Sequence, residues 1–267
     1  MNVFARLRPK RCASSSIQAA AAKCGRFWIS EYPAIAMTQS SFGHFLAADS
    51  FACWCGDQLV ILCLSNDEYL TFSPAMSAGI AEAIADPSIS PPPDIRDSLI
   101  ALKARGVLVS DCRKGKLLEI VPSTKQNLRE LPDLSFDEQT SINFIDLIRL
   151  VWAYCIARFL LALGIRYAVA SVKNVRANSI NWNDYNQLAL IVTKFKRVQP
   201  FVMKQSENCL LRALTLQKFL VMYKIGVNWN FGIQLEPFRA HCWLQREDML
   251  IDESIEGISA LSIIMKS

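Results

Sequence analysis

The sequence predicts an α+β protein of two unequal parts: a small three-stranded sheet with helices, then a larger domain in which a cysteine-bearing helix packs on an antiparallel sheet. Three observations predict it. Short strand-like runs separated by turn residues occupy residues 45–72, helical periodicity dominates from 143 onward, and strand-like runs return after Gly226. The composition, 52% hydrophobic and 20% charged in 267 residues, is globular and supplies apolar material for two small cores.

Residues 1–36 form a basic extension with six basic residues against Glu31 alone, which accounts for the chain's net charge of +5. The remainder is balanced, so its charge gives no indication of nucleic-acid binding. The extension resembles a transit peptide in composition and lacks the apolar run of a secretory signal. An alternative is that translation starts at Met37 and the extension is not part of the folded protein.

The small domain is predicted over residues 37–112. Its strand-like runs are Phe45–Cys55, Leu59–Leu64 and Glu68–Phe72. Hairpin turns separate them at residues 56–57 and 65–67. Two helices follow, at residues 74–85 and 94–105, on either side of a proline-rich segment.

Residues 113–140 are polar, contain two prolines and predict a linker to the second domain, residues 141–267. The apolar segment 143–169 predicts one or two buried or amphipathic helices covering the core of that domain. Charged residues interrupt it, and its longest uncharged run is eight residues. A spanning helix needs roughly 18 or more, so membrane insertion is not expected, although attachment to a membrane surface stays open. Residues 184–198 predict a further helix.

The chemistry-bearing helix starts near Cys209. Ser206 suits the N-cap position, Glu207 lies in the first turn, and Gly226 ends the helix. Backbone N–H groups and the helix dipole favour a thiolate at such a helix start. Cys209 is therefore a candidate nucleophile, although an unreactive, buried cysteine is the more common role for a lone Cys. Gln205 lies close enough in sequence to be an oxyanion donor.

Two strand-like runs follow, at residues 227–235 and 240–246, and the second carries His241. A third short run at residues 249–251 ends in Asp252 and Glu253, either of which could orient the imidazole. Alternation along a strand points these two acids to opposite faces, so only one can serve. The predicted catalytic set is Cys209, His241 and Asp252, or Glu253 in its place.

The nine cysteines are an odd number without a repeating spacing. That pattern fits a reducing cytoplasm better than a disulfide framework. With two histidines in the chain and a single Cys-x-Cys at 53–55 inside a strand-like run, no metal site is expected.

The C-terminal part resembles the transglutaminase-like cysteine peptidase of lasso-peptide biosynthesis, the B protein. The residues that carry this resemblance are Cys209-Leu210-x-Arg212-Ala213-Leu214-x-Leu216, Gly226-Val227, Gly232, Pro237-Phe238-Arg239-Ala240-His241-x-Trp243 and Ile251-Asp252. Aligned without gaps, the family's acid falls on Glu253, and Asp252 falls where the family often has Asn. Chemical type nevertheless favours Asp252. The resemblance implies a papain/transglutaminase-like fold and removal of the leader from a ribosomally made precursor peptide.

The small domain resembles a PqqD-like precursor-recognition domain, a winged-helix-like module. The residues that carry this are Leu62-Cys63-Leu64-x-x-Asp67-x-Tyr69-x-x-Phe72 and Leu102-x-x-x-Gly106-Val107-Leu108. The resemblance implies that a leader peptide adds as an extra strand at the sheet edge. Tyr69 and Phe72 are leader-binding candidates, and the alternative is that they fill the core.

The same resemblance implies two partners, the precursor peptide and an asparagine-synthetase-like lasso cyclase that uses ATP. No cofactor is expected in this chain, which contains no nucleotide motif, so any ATP requirement lies with the cyclase. Two other functions stay open: a transglutaminase-like acyltransferase, and a non-catalytic protein that binds the precursor.

Overall fold

The computed structural model describes residues 5–7, 44–86, 90–118, 127–132, 142–177, 185–204 and 209–267, and shows a mixed α+β fold. Within these residues the strands β1–β12 are Ala5–Leu7, Phe45–Ala47, Ser50–Cys55, Gln58–Cys63, Glu68–Thr71, Leu108–Val109, Gly115–Lys116, Arg129–Glu130, Asn228–Gln234, Arg239–Arg246, Met249–Ile251 and Ser262–Lys266. The helices α1–α7 are Pro74–Ala85, Pro93–Ala104, Phe144–Leu163, Ile165–Ala177, Tyr185–Val202, Cys209–Val221 and Ile255–Ile258.

The N-terminal sheet has the order β1-β5-β4-β3, and all its described pairs are antiparallel. The predicted runs Leu59–Leu64 and Glu68–Phe72 are β4 and β5, whereas the predicted run Phe45–Cys55 divides into β2 and β3, which lie in different sheets. Helices α1 and α2 match the predicted helices to within one residue. The winged-helix prediction is not confirmed. A fourth strand, β1, extends this sheet, and the short strands β6 and β7 form a separate sheet with β2.

Strand β4 is apolar on both faces because both faces are covered. Leu59 and Ile61 pack in one core with α1 and α2, whereas Val60 and Leu62 pack in the core of the C-terminal part. Tyr69 joins that second core and meets Phe238, with ring centroids 6.0 Å apart. The N-terminal sheet is therefore fastened to the C-terminal part by shared apolar packing.

The predicted linker 113–140 contributes strands to both parts. Strand β7 pairs with β2, and β8 pairs in parallel with β11 of the C-terminal sheet. Arg129 also forms an ion pair with Asp248, Nε to Oδ2, at 2.8 Å. The described parts of this segment are thus built into the fold rather than serving as a spacer. Residues 5–7 of the basic extension likewise pair with β5.

The C-terminal sheet has the order β12-β9-β10-β11-β8. Alternation along β10 sends Cys242 and Leu244 to the large core that includes α6, and Trp243 to a smaller cluster with Leu250 and Ile258. The predicted apolar segment 143–169 forms two helices, α3 and α4, that break at Gly164, where φ is 119°. None of the helices in the described residues is long and apolar enough to cross a membrane.

A buried carboxylate ties three of these helices together. Asp146 of α3 accepts hydrogen bonds from Tyr223 Oη at 2.6 Å, just beyond α6, and from Lys194 Nζ of α5 at 3.2 Å. Burial favours the neutral acid, but these bonds outweigh it and hold the pKa of Asp146 below its usual range. The network fixes α6, the helix that carries Cys209, against α3.

Candidate active site

Helix α6 presents Cys209 in its first turn. The helix buries its apolar side, including Leu214 and Phe219, against the sheet and α3, and Cys209 is half-buried at the edge of this core. Its thiol hydrogen-bonds with the side chains of Cys242 and His241 on β10. The predicted cysteine and histidine are therefore brought together.

The position of His241 on β10 is set by close packing on its neighbouring strand. His241 stands opposite Gly232 of β9, and Trp243 lies over that glycine. A Cβ atom at Gly232 would lie 2.8 Å from Trp243 Cζ3, so only glycine fits there. The Trp243 and His241 rings are stacked, 6.4 Å apart between centroids and 17° from parallel. This packing restricts the orientation of the imidazole.

The acid beside His241 is Glu253 and not Asp252, the residue that the sequence analysis favoured. His241 Nε2 lies 2.5 Å from Glu253 Oε2, which leaves Nδ1 for the thiol. Glu253 Oε1 accepts a hydrogen bond from the Ser254 backbone N–H at 3.2 Å. Asp252 instead accepts hydrogen bonds from Arg212 on α6, with Nη2 to Oδ2 at 2.7 Å.

The backbone explains the exchange of acids. Strand β11 ends at Ile251, and Asp252 takes a left-handed conformation with φ at 58°. Strand alternation holds only for extended backbone, so it ceases to apply at Asp252. The turn directs Asp252 to Arg212 and Glu253 to His241.

The site favours a thiolate–imidazolium pair. Hydrogen bonds from Cys242 and then from His241 lower the pKa of Cys209 to about 4, although burial acts in the opposite direction. Burial alone would lower the pKa of His241, but its hydrogen bonds with Cys209 and Glu253 raise it to about 9. Glu253 stays ionised because its bond to His241 outweighs burial and lowers its pKa. Between these two pKa values the nucleophile and the acid are both in the reactive form.

Cys242 is a member of the site that the sequence did not reveal. The residue is 4% exposed, and its thiol donates a hydrogen bond to the Cys209 sulfur. Burial, followed by the hydrogen bond with Cys209 and then the charge of Cys209, raises the pKa of Cys242 well above the ordinary value, so it stays a neutral donor. Its place next to His241 in the sequence was the one available signal.

Residues 150–266 match the family model described as the transglutaminase-like superfamily. They form a transglutaminase-like domain. Cys209, His241 and Glu253 all lie within it, and this superfamily commonly uses cysteine-based catalysis, in peptidases and acyltransferases. No curated protein and no solved structure matches the chain. The match starts at residue 150, so the PqqD-like resemblance of residues 37–112 stays a prediction.

The remaining predicted site residues lie elsewhere. Gln205 is outside the described residues. Phe72 is 2% exposed in the N-terminal core, and Tyr69 is 8% exposed against Phe238. Both side chains therefore fill cores, as the alternative interpretation held, and neither presents a surface to a leader peptide. Among the described residues no group of three or more His, Cys, Asp or Glu side chains could hold a metal ion.

Tyr69 nevertheless packs in the same core that Cys209 borders. Burial, followed by nearby acidic groups that include Cys209, raises the pKa of Tyr69. Strand β5, which carries Tyr69, is the strand to which β1 adds. The strand to which β1 adds and the candidate nucleophile therefore border one core.

A cleft of about 370 Å³ opens behind the acid. Its lining residues are Glu130, Leu131, Pro132, Ala189, Val192, Thr193, Lys196, Asp252, Glu253 and Ser254. Cys209 and His241 do not line it, so the cleft reaches the carboxylate side of the site and not the thiol.

Proposed function

We propose that this protein is a cysteine peptidase that removes the leader from a ribosomally made lasso-peptide precursor. The observation that carries the catalytic part is the connected series Cys209, His241 and Glu253, with the thiolate and the imidazolium as the favoured forms. The resemblance of residues 209–252 to the lasso B protein supplies the substrate class.

The reaction follows from these groups. The Cys209 thiolate attacks the scissile carbonyl, and N–H groups in the first turn of α6 stabilise the oxyanion. His241 gives its proton to the leaving amine as the peptide C–N bond breaks, which leaves a thioester on Cys209. His241 then takes a proton from water, and the hydroxide releases the leader as a carboxylate. Glu253 holds the imidazole and stabilises its charged form.

The edge of β5 supports capture of an extended peptide. Three residues of the chain itself, Ala5–Leu7, add antiparallel to this edge, with Arg6 opposite Leu70. Such pairing uses main-chain hydrogen bonds and therefore accepts a strand of another sequence. A leader bound there would deliver the following residues towards Cys209. The released core peptide would pass to the asparagine-synthetase-like cyclase, the proposed second partner.

The transglutaminase-like match favours one alternative, an acyltransferase in which an amine replaces water as the acceptor. Incubating the full chain with the precursor and the cyclase, with and without an added primary amine, and weighing the products separates the two. A free leader carboxylate supports the peptidase, and an amine adduct supports the transferase.

Cys209→Ala is the decisive variant in the same experiment. Loss of both products in this variant, while it still binds the leader, supports thiol catalysis. Leader release that survives Cys209→Ala would refute it. If neither protein gives a product but both bind the precursor, the non-catalytic binding function is the better account.

A further inference from the structure

Helix α3 has an apolar face that is exposed from one end of the helix to the other. Its opposite face, with Leu150, Ala153 and Ala157, is fully buried. On the outer face Trp152 is 63% exposed and Phe159 is 64% exposed. The other large apolar residues exposed there are Phe144, Ile145, Ile148, Val151 and Leu163. A continuous patch of this kind is typical of an interaction surface.

The spacing of these residues is that of a coiled-coil seam. The exposed residues Ile145, Trp152 and Phe159 follow one another at intervals of seven. A second set of exposed residues has the same interval. That second set is Ile148, Cys155 and Ala162. The two sets alternate at spacings of three and four, as the a and d positions of a heptad repeat do. A seam with a period of seven fits another helix.

The size of the face suits a protein interface. A 20-residue helix is roughly 30 Å long. Its three exposed aromatic side chains offer roughly 300–500 Å² together, since each carries roughly 150–250 Å² in all. The exposed aliphatic residues bring the face to the order of the roughly 800 Å² that each partner buries in a standard interface.

The seam is complementary to itself when two copies run antiparallel about a two-fold axis between Trp152 and Cys155. A large side chain then faces a smaller one throughout. The opposing pairs are Ile145 with Ala162, Ile148 with Phe159, and Trp152 with Cys155. A parallel pair would instead place Trp152 against its own copy, which packs poorly at a helix interface.

The charges beside the seam are compatible with this arrangement. Arg149 lies on one side of the seam and Arg158 on the other, so antiparallel pairing does not bring them together. Arg149 is in addition held within its own chain, 4.6 Å from the Tyr223 ring centroid and 3.8 Å from Asp146. No exposed acidic residue of α3 would have to be buried in the interface.

We propose that α3 is a self-association surface through which two copies of this chain form an antiparallel, two-fold symmetric dimer. The inference does not depend on the proposed catalysis. It does bear on the site, because α3 packs directly on α6, the helix that carries Cys209. Pairing would cover the outer face of the helix that supports the nucleophile.

Light scattering coupled to size-exclusion chromatography of the full chain tests the proposal over a wide range of protein concentrations. The expected mass is twice the 30.0 kDa of one chain, falling to 30.0 kDa in Trp152→Glu and Phe159→Glu. Phe201→Glu is the matched control, because Phe201 is 79% exposed but lies on α5, outside the seam. This control should remain a dimer.

A disulfide experiment tests the direction of pairing and does not depend on the glutamate variants folding. Trp152→Cys should form a reducible interchain link under mild oxidation, and the link should disappear when Cys155→Ala is added. A wild-type chain that stays at 30.0 kDa overturns the proposal, as does a dimer that survives Trp152→Glu with no interchain link. A monomer that binds phosphatidylserine vesicles through the same residues would overturn it in favour of a lipid surface.

Discussion

Glu253 and Asp252 are adjacent carboxylates with different partners: Glu253 contacts His241, whereas Asp252 contacts Arg212. Glu253→Gln keeps the shape of the side chain but removes the charge that His241 Nε2 contacts at 2.5 Å. A hydrogen bond to a charged group contributes about 1.5–3 kcal/mol. Since about 1.36 kcal/mol corresponds to tenfold in rate, kcat/KM should fall roughly 10-fold to 150-fold.

Asp252→Asn is the matched control. Its carboxylate contacts Arg212 at 2.7 Å and lies 3.9 Å from Lys196, and no hydrogen bond joins it to His241. Asparagine also tolerates the left-handed backbone at this position, where φ is 58°. The variant should therefore keep most of the activity, while losing some stability through the weakened ion pair with Arg212.

The assay is leader release from the precursor, followed by mass spectrometry at several pH values. In Glu253→Gln the alkaline limb of the profile should also move to lower pH, because the carboxylate helps to raise the pKa of His241. A purely structural role for Glu253 would leave that limb in place. A larger loss in Asp252→Asn than in Glu253→Gln would refute the assignment of the acid.

Three further predictions concern the site and its approach. Iodoacetamide should alkylate Cys209 even in mildly acidic solution, because the pKa of the Cys209 thiol is about 4. Peptide mass mapping should show that His241→Ala moves this alkylation to higher pH. Leader release should be lost as pH falls through about 4, where the Cys209 thiolate is protonated, and as pH rises through about 9, where His241 loses its proton. A rate that does not fall at either pH would contradict the thiolate–imidazolium pair. Deletion of residues 1–36 from the Cys209→Ala chain should tighten its binding of the leader peptide in a calorimetric titration, because Ala5–Leu7 then no longer occupies the β5 edge. Unchanged affinity would mean that the peptide binds elsewhere.

The regular elements could be predicted from the sequence because periodicity determines them. Strand β11 and helix α1 have the predicted bounds, and the Cys209 helix and the His241 strand meet as expected. The order of a thiol on a helix and an imidazole on a later strand was enough to bring the two together, because α6 and β10 belong to one compact core.

The acid could not be predicted, because a single left-handed residue at 252 cancels the strand alternation on which the argument relied. The part played by Cys242 was hidden for a related reason. Alternation places it and His241 on opposite faces, yet both bond Cys209. Strands β7 and β8 have two residues each, too few for any period to appear in the sequence. Tyr69 and Phe72 were misplaced because an aromatic residue on a strand has the same pattern whether it faces a partner or a core.

The core shared by β4 and the transglutaminase-like domain bears on how the proposed peptidase would select the bond that it cleaves. Val60, Leu62 and Tyr69 fasten the β5 edge to the body that holds Cys209, so the span from that edge to the nucleophile is fixed by packing. If the proposed peptidase binds its substrate at that edge, the bond that is cut would lie a set number of residues from the bound segment. The scissile bond would then be selected by its distance along the substrate from the bound segment as much as by the side chains that flank it.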